Sequence, residues 1–231
     1  MSLKDKVTVI TGGSKGFGKA LAQAFIKEGA IVTITGNNEQ ELSATAEVVG
    51  AEYLVADAKS YDNTVTVSES VIAKYGHIDI WINNAGIQIA PSNVEDVKVD
   101  RLHELIEVNY FGYFYGSKVA LASMKKTGEG LIININSTAG LSGKPGLSAY
   151  VSSKFAIKGL SESIREEIKG TDIKLYQIFP GGMKTDIYRE KVPEDIDQYM
   201  NVSYAIEKVI DNLKLENPEI DLVIKRPQIT S

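Results

Sequence analysis

Short apolar runs alternate with longer helical patterns along most of the chain, and this alternation limits the folds open to it. The runs at 7–10, 78–82 and 131–135 read Val-Thr-Val-Ile, Ile-Asp-Ile-Trp-Ile and Leu-Ile-Ile-Asn-Ile. Strands buried on both faces have this composition, because helices cover both sides of a parallel sheet. The sequence therefore predicts an α/β fold, a doubly wound parallel sheet flanked by helices on both faces.

The composition narrows the class of protein further. The chain has 231 residues, a formal net charge of −5 and no cysteine, and its length suits one domain over residues 1–231. The acidic balance argues against a nucleic-acid partner, because phosphate binding needs a basic surface. We expect no metal site, because thiolates are absent and His77 and His103 lack a ligand pattern. We expect a cytoplasmic protein without membrane contact, because no apolar run approaches roughly 20 residues.

A glycine-rich turn follows the first predicted strand. Gly12, Gly16 and Gly18 have the spacing Gly-x-x-x-Gly-x-Gly and come directly before a helical pattern. Glycine permits a tight turn and a close approach of backbone to ligand, and the amino end of a helix attracts a pyrophosphate. An ordinary strand–helix turn can share this pattern. The flanking strand and helix favour a dinucleotide-binding site.

A tyrosine and a lysine one helical turn apart follow the fifth predicted strand. Tyr150 and Lys154 share one helix face, and Ser137 stands at the end of the preceding strand. A fixed ammonium favours phenolate and lowers the pKa of a nearby tyrosine. Such a phenol can exchange a proton with a carbonyl or alcohol oxygen that Ser137 also hydrogen-bonds. A lone Tyr-x-x-x-Lys pair is more typical of a helix surface, but the strand-end serine favours a catalytic site.

Taken together, these motifs resemble the short-chain dehydrogenase/reductase family. The resemblance covers about residues 5 to 186, and the set is far more specific than any one motif. The matching residues, in chain order, are Thr11 to Gly18, Asn83-Asn84-Ala85-Gly86, Asn109, Ser137, Tyr150, Lys154 and Pro180-Gly181. The resemblance implies a Rossmann-like fold, in agreement with the strand–helix alternation.

The resemblance also implies a role for each catalytic residue. Tyr150 would be the general acid/base, and Ser137 would polarise the substrate oxygen. Lys154 would bind the nicotinamide ribose and lower the pKa of Tyr150. Asn109 would hold a water that links Lys154 to solvent, although its amide could equally bond a backbone carbonyl where the helix is interrupted.

The cofactor contacts follow from the same resemblance. Asp57 would contact the adenine amino group, unless it caps a helix, and Asn83 and Gly86 would line the adenosine ribose. The full predicted set is Gly12, Ser14, Lys15, Gly16, Phe17, Gly18, Asn37, Asp57, Asn83, Ala85, Gly86, Tyr150, Lys154, Pro180, Gly181 and Thr185. Residues 182–202 would form the substrate lid.

The choice of dinucleotide depends on the end of the second predicted strand. NAD sites usually carry an acid there, which binds the ribose 2′-hydroxyl and repels a 2′-phosphate. The strand ends Ile-Thr-Gly-Asn-Asn at 34–38, while Glu39 and Glu41 belong to the next predicted helix. Lys15 stands where NADP-preferring relatives often carry a basic residue, and Asn37 could donate hydrogen bonds. The sequence favours NADP(H), with NAD(H) as the alternative.

The resemblance implies an oxidoreductase that transfers a hydride between NADP(H) and a small carbonyl or secondary alcohol. A non-redox enzyme or a nucleotide-sensing protein on the same scaffold is less favoured, because such relatives tend to lose the glycines, tyrosine, serine or lysine that this chain keeps. The family also commonly forms homodimers or homotetramers. The aromatic run at 110–115 is expected to pack in the core, although exposed aromatic area could serve such an interface.

Overall fold

A computed structural model describes residues 1–188 and 190–226, which form a seven-stranded sheet whose strand pairs are all parallel. The strands are β1 (Val7–Ile10), β2 (Ile31–Gly36), β3 (Glu52–Val55), β4 (Ile80–Asn83), β5 (Glu129–Ile135), β6 (Asp172–Pro180) and β7 (Asp221–Ile224). They lie in the order β3-β2-β1-β4-β5-β6-β7. The prediction of a Rossmann-like doubly wound sheet is confirmed.

The order of the strands reverses between β1 and β4, which are neighbours in the sheet with Ile10 opposite Ile82. The chain leaves β1 toward one edge of the sheet and leaves β4 toward the other. Connections on the two sides therefore diverge and open a crevice at the carboxyl ends of these strands. Ligands of doubly wound sheets bind in this crevice.

Helices cover both faces of the sheet. On one face lie α1 (Gly16–Lys27), α2 (Glu39–Val49) and α7 (Val202–Lys214), and on the other lie α3 (Tyr61–Tyr75), α5 (Gly112–Thr127) and α6 (Ser148–Glu167). Strand side chains alternate between the two cores: Ile80 and Ile82 pack in the first and Trp81 in the second. None of the described helices is long and apolar enough to cross a membrane.

The sequence pattern over 97–126 predicts one long helix, but the structure interrupts it. Its first part is α4 (Val99–Ile106), which runs into a π-helical turn at Glu107–Phe111 before α5 begins. The aromatic run at this point is divided, because Tyr113 is buried whereas Phe111 and Phe114 are each 42% exposed. The expectation of core packing was therefore wrong for the two phenylalanines.

The predicted lid at 182–202 leaves β6 and returns close to its starting point. Met183 forms a parallel bridge with Met200, whose N–H donates to the Gly182 carbonyl oxygen at 3.0 Å. Two short 3₁₀ turns, Asp186–Tyr188 and Ile196–Gln198, lie between these ends. Residue 189 of this segment and residues 227–231 at the chain end lie outside the described residues. The division into one domain with a lid stays a prediction.

Candidate active site

A groove of about 870 Å³ crosses the carboxyl ends of the strands. It brings together sixteen of the eighteen residues predicted from the sequence. These are Gly12, Ser14, Lys15, Gly16, Phe17, Gly18, Asn37, Asp57, Ala85, Gly86, Ser137, Tyr150, Lys154, Pro180, Gly181 and Thr185. Asn83 and Asn109 are not among the residues that line it.

The glycine turn after β1 requires glycine for two physical reasons. Gly12 and Gly16 have φ of +64° and +55°, which side-chain-bearing residues rarely adopt. A Cβ on Gly18 would lie 2.2 Å from the Gly12 carbonyl oxygen, so α1 can approach the strand only without one. Among the described residues, no side chain caps the amino end of α1 and its first turn carries no acid. Such an end can receive a pyrophosphate.

The turn after β4 is tied to the glycine turn by Asn84. Its Nδ2 donates to the carbonyl oxygens of Thr11 at 2.8 Å and Gly12 at 3.0 Å. The Thr11 hydroxyl accepts from the N–H groups of Asn84 and Ala85. Asn84 belongs to the Asn-Asn-Ala-Gly motif, but no separate role was predicted for it. Its role here is to hold the two turns at the switch point together.

The structure does not support the predicted contact of the Asn83 side chain with the adenosine ribose. Asn83 is 1% exposed and lies on the α5 side of the sheet, where its Oδ1 accepts from Trp81 Nε1 at 2.8 Å. Its Nδ2 donates to Ser117 Oγ at 3.1 Å and to Asn134 Oδ1 at 2.8 Å. Asn83 is the last residue of β4, so strand alternation points it to the same face as Trp81 and away from the groove.

The tyrosine and lysine that the sequence predicts to be catalytic are both buried on α6. Tyr150 is 9% exposed and Lys154 4%. Lys154 Nζ donates to the Ile135 carbonyl oxygen at 3.1 Å and lies 5.6 Å from the centre of the Tyr150 ring. Ser137, at the carboxyl end of β5, accepts from the Ala139 N–H at 3.1 Å. The end of β5 thus positions both Lys154 and Ser137 beside the phenol.

Burial dominates the protonation of this pair. It raises the pKa of Tyr150 to about 12, against a smaller lowering by the adjacent Ser137 hydroxyl. It also lowers the pKa of Lys154 to about 7. The raised pKa of Tyr150 is opposite to the lowering that we expected from Lys154, because the low-dielectric surroundings disfavour both charged forms. At neutral pH Tyr150 is a neutral phenol, which is a proton donor.

Asn109 lies within the π-helical turn and is fully buried. Its Oδ1 accepts from the Ile87 N–H at 2.8 Å, and its Nδ2 donates to the Ile87 carbonyl oxygen at 2.9 Å and to Ser153 Oγ at 3.2 Å. The amide therefore bonds backbone at the helix interruption and joins the β4–α4 loop to α6. Its predicted part in holding a water stays a prediction.

Asn136 supports the serine and was not predicted. Its Oδ1 accepts from the Ser137 N–H at 3.0 Å, and its Nδ2 donates to Gln177 Oε1 at 3.1 Å. Both amides are buried, at 3% and 0% exposure. The only sign of this role in the sequence was the position of Asn136 directly before the strand-end serine. Its partner Gln177 lies on a strand that is neighbouring in space but distant in the chain.

The adenosine end of the groove is more exposed and carries two ion pairs. Lys15 Nζ lies 3.0 Å from Glu41 Oε2, and Lys59 Nζ lies 3.7 Å from Asp57 Oδ2. Asp57 does not cap α3, because Ser60 accepts from the third residue of that helix. Glu41 lines the groove although the sequence assigned it only to a helix.

The lid segment contacts both walls of the groove. Glu190 pairs with Arg101 of α4 and accepts from the Ala90 N–H at 2.9 Å. Tyr188 packs edge-on against Tyr199, with ring centres 5.6 Å apart. Arg226, after β7, lies 4.0 Å from the centre of the Tyr199 ring. Groups of three or more His, Cys, Asp or Glu able to hold a metal are not found in the described part of the chain.

Comparison with known proteins identifies the family of this chain. A family described as short chain dehydrogenase matches residues 6–196. Oxidoreductase BOA17 of Botryotinia fuckeliana is 35% identical over 184 residues, 78% of this chain and 67% of that protein. The NADP-dependent (R)-specific alcohol dehydrogenase of Lentilactobacillus kefiri is 33% identical over 192 residues, 80% of this chain and 76% of that protein.

A solved structure extends the likeness to nearly the whole chain. It is an alcohol dehydrogenase from the archaeon Thermococcus sibiricus complexed with 5-hydroxy-NADP, with a TM-score of 0.88, 27% identity and 97% of each chain covered. The chain therefore belongs to the short-chain dehydrogenase/reductase family. Within that family it is an NAD(P)-dependent enzyme, as the sequence predicted.

Proposed function

We propose that this protein transfers a hydride between NADP(H) and a small carbonyl or secondary alcohol, with Tyr150 as the acid/base. The observation that carries the proposal is the meeting of Ser137, Tyr150 and Lys154 in one groove with the glycine turn. The names of two relatives, one an NADP-dependent alcohol dehydrogenase and one a structure holding an NADP derivative, support the same class of reaction.

The residues of the groove fit a dinucleotide. The turn at Gly12 to Gly18 leaves no room for side chains where the backbone approaches closely, and the adjoining end of α1 carries no acid in its described first turn. These features suit the pyrophosphate, and Lys154 suits the nicotinamide ribose. Lys15 suits the 2′-phosphate of NADP(H); NAD(H) remains the alternative. The nicotinamide supplies or takes up the hydride.

The side chains of the chain itself handle the proton. In carbonyl reduction, the hydride bonds to the carbonyl carbon and the carbonyl oxygen takes the proton of the Tyr150 hydroxyl. Ser137 hydrogen-bonds that oxygen as its charge grows. In alcohol oxidation the phenol must first lose its proton, which becomes easier as pH rises. The raised pKa of Tyr150 therefore keeps the hydroxyl in the protonated form that carbonyl reduction uses at neutral pH.

A substrate panel tests the proposal. Purified protein is given NADPH or NADH with small ketones and aldehydes, or the oxidised forms with secondary alcohols, while the absorbance of reduced nicotinamide is followed. We expect turnover with members of the panel and faster turnover with NADPH. Dinucleotide binding without turnover on the panel would favour a nucleotide-sensing protein, and the absence of dinucleotide binding would favour a non-redox enzyme.

We also propose a homodimer or homotetramer in the cytoplasm, acting on small molecules without nucleic-acid or membrane partners. Phe111, in the π-helical turn, and Phe114, in α5, are exposed and support self-association. Covering an exposed aromatic surface with a second copy of the chain removes apolar area from water, which is favourable. Light scattering tests the mass in solution. A monomer at micromolar concentration would contradict this part of the proposal.

A further inference from the structure

We propose that Glu41 limits the preference of this protein for NADPH by holding the Lys15 ammonium in an ion pair. This inference rests on the proposed use of a nicotinamide dinucleotide. Lys15 Nζ and Glu41 Oε2 are 3.0 Å apart, and both residues line the adenosine end of the groove beside Asn37. A 2′-phosphate seated near Lys15 would therefore also meet a carboxylate.

Two hydrogen bonds cap the start of α2 and tie this helix to the glycine turn, and the helix dipole favours the charge of Glu41 there. Asn38 caps α2, and its Oδ1 accepts from the Glu41 N–H at 3.1 Å. Glu41 lies in the first turn of α2, where the helix dipole favours a negative charge. Thr45, one turn further on, donates its hydroxyl to the Ser14 carbonyl oxygen at 2.6 Å and ties α2 to the glycine turn. Lys15 and Glu41 therefore face each other across two segments that are joined.

The charges at this end of the groove nearly cancel. Glu41 compensates Lys15, and Asp57 compensates Lys59. The side chains of Lys15 and Glu41 are 35% and 46% exposed, so their interaction with a phosphate is screened by solvent. A dianionic 2′-phosphate gains attraction from Lys15 and loses a comparable amount to repulsion by Glu41. NADH carries no charge at this position, so its binding should depend little on either residue.

The test compares dissociation constants, measured by isothermal titration calorimetry without substrate. Glu41→Gln should tighten NADPH binding about three- to tenfold, the range for one partly exposed charge, and change NADH binding less than about twofold. Glu41→Lys should lower the ratio of the NADPH dissociation constant to the NADH dissociation constant further than Glu41→Gln does. Glu39→Gln is the matched control, because it removes the same charge from the same helix turn at a residue that does not line the groove.

Two results would overturn the inference: an unchanged NADPH/NADH ratio in both Glu41 variants, or an equal change in Glu39→Gln. The effect should also shrink at high salt. Failure of the proposed function looks different: it shows as a wild type that binds neither dinucleotide, or as one that binds a dinucleotide but turns over no member of the substrate panel. A wild type that prefers NADH, but shifts toward NADPH when Glu41 is replaced, would contradict the proposed cofactor and support the role of Glu41.

Discussion

The two ends of the groove use charge in opposite ways. At the catalytic end, Tyr150 and Lys154 are nearly buried, and burial shifts both pKa values by well over one unit. At the adenosine end, Lys15 and Glu41 are each more than a third exposed and neutralise each other. Removing one group should therefore have a large effect at the first end and a small effect at the second, because solvent screens only the second.

The largest expected effect is on turnover at the catalytic end. Tyr150→Phe removes only the hydroxyl, so folding and dinucleotide binding should persist while kcat falls by about two to four orders of magnitude, the scale of general acid–base catalysis. Steady-state kinetics measures this. Tyr204→Phe on α7, outside the groove, is the control. A Tyr150→Phe enzyme that keeps more than about a tenth of its turnover would contradict the acid/base role.

A buried lysine should also make stability depend on pH. The pKa of Lys154 falls from 10.5 to about 7 on folding, so the folded state carries the full cost of a buried ammonium below about pH 7. Between about pH 7 and 10.5 the unfolded chain holds a proton that the folded chain has released, so stability rises with pH. Lys154→Met should be more stable than wild type near pH 6 by several kcal/mol, and the difference should vanish near pH 10.5.

Urea unfolding at several pH values measures this difference. Lys158→Met is a suitable control, because Lys158 lies on the same helix but is only partly buried and is paired with Glu162. Parallel pH profiles for wild type and Lys154→Met would show that Lys154 stays charged in the folded protein.

At the adenosine end, a new charge should matter more than a lost one. Asn37→Asp places a carboxylate at the end of β2, where it can accept from the ribose 2′-hydroxyl and repel a 2′-phosphate. We expect the ratio of kcat/KM for NADPH over NADH to fall by about tenfold. Asn201→Asp adds the same charge outside the groove and should leave the ratio unchanged. An Asn37→Asp ratio equal to that of wild type would place Asn37 away from the ribose.

The smallest effect should come from Lys15→Ala. Its ammonium is already paired with Glu41, so NADPH affinity should fall only several-fold, on the order of 1 kcal/mol, and less at high salt. NADH affinity should not change. Lys19→Ala in α1, the helix that follows Lys15, removes a positive charge outside the groove and is the control. If NADPH affinity fell a hundredfold or more, the Lys15 charge would not be screened by Glu41 and solvent as the structure indicates.

The fold was largely predictable because its strands are apolar and its helices periodic. The start of β1 matches the apolar run at 7–10, Glu39 and Glu41 lie in a helix as predicted, and glycines with positive φ end α2 and α3. The π-helical turn at 107–111 was not predictable, since its residues have helical propensity. It is set by the buried contacts of Asn109 with Ile87 and Ser153.

Most of the residues that the sequence predicted for the candidate site line the groove, but the orientation, pairing and protonation of several of them were not predicted. The motif did not show that Asn83 faces α5, because this depends on where β4 ends relative to Trp81. Nor could the chain order show that Glu41 meets Lys15 across 26 positions. The protonation of Tyr150 depends on burial, which is a property of the folded chain and not of the Tyr-x-x-x-Lys spacing.

The central claim is that burial keeps Tyr150 protonated and ready to donate. Nuclear magnetic resonance of protein carrying ¹³C at the tyrosine Cζ tests it directly, with the Tyr150 signal assigned by its loss in Tyr150→Phe. The account predicts that this signal does not titrate up to about pH 10, since the pKa is raised to about 12. A titration midpoint below about pH 9 would contradict the account and would restore the lowering of the Tyr150 pKa by Lys154.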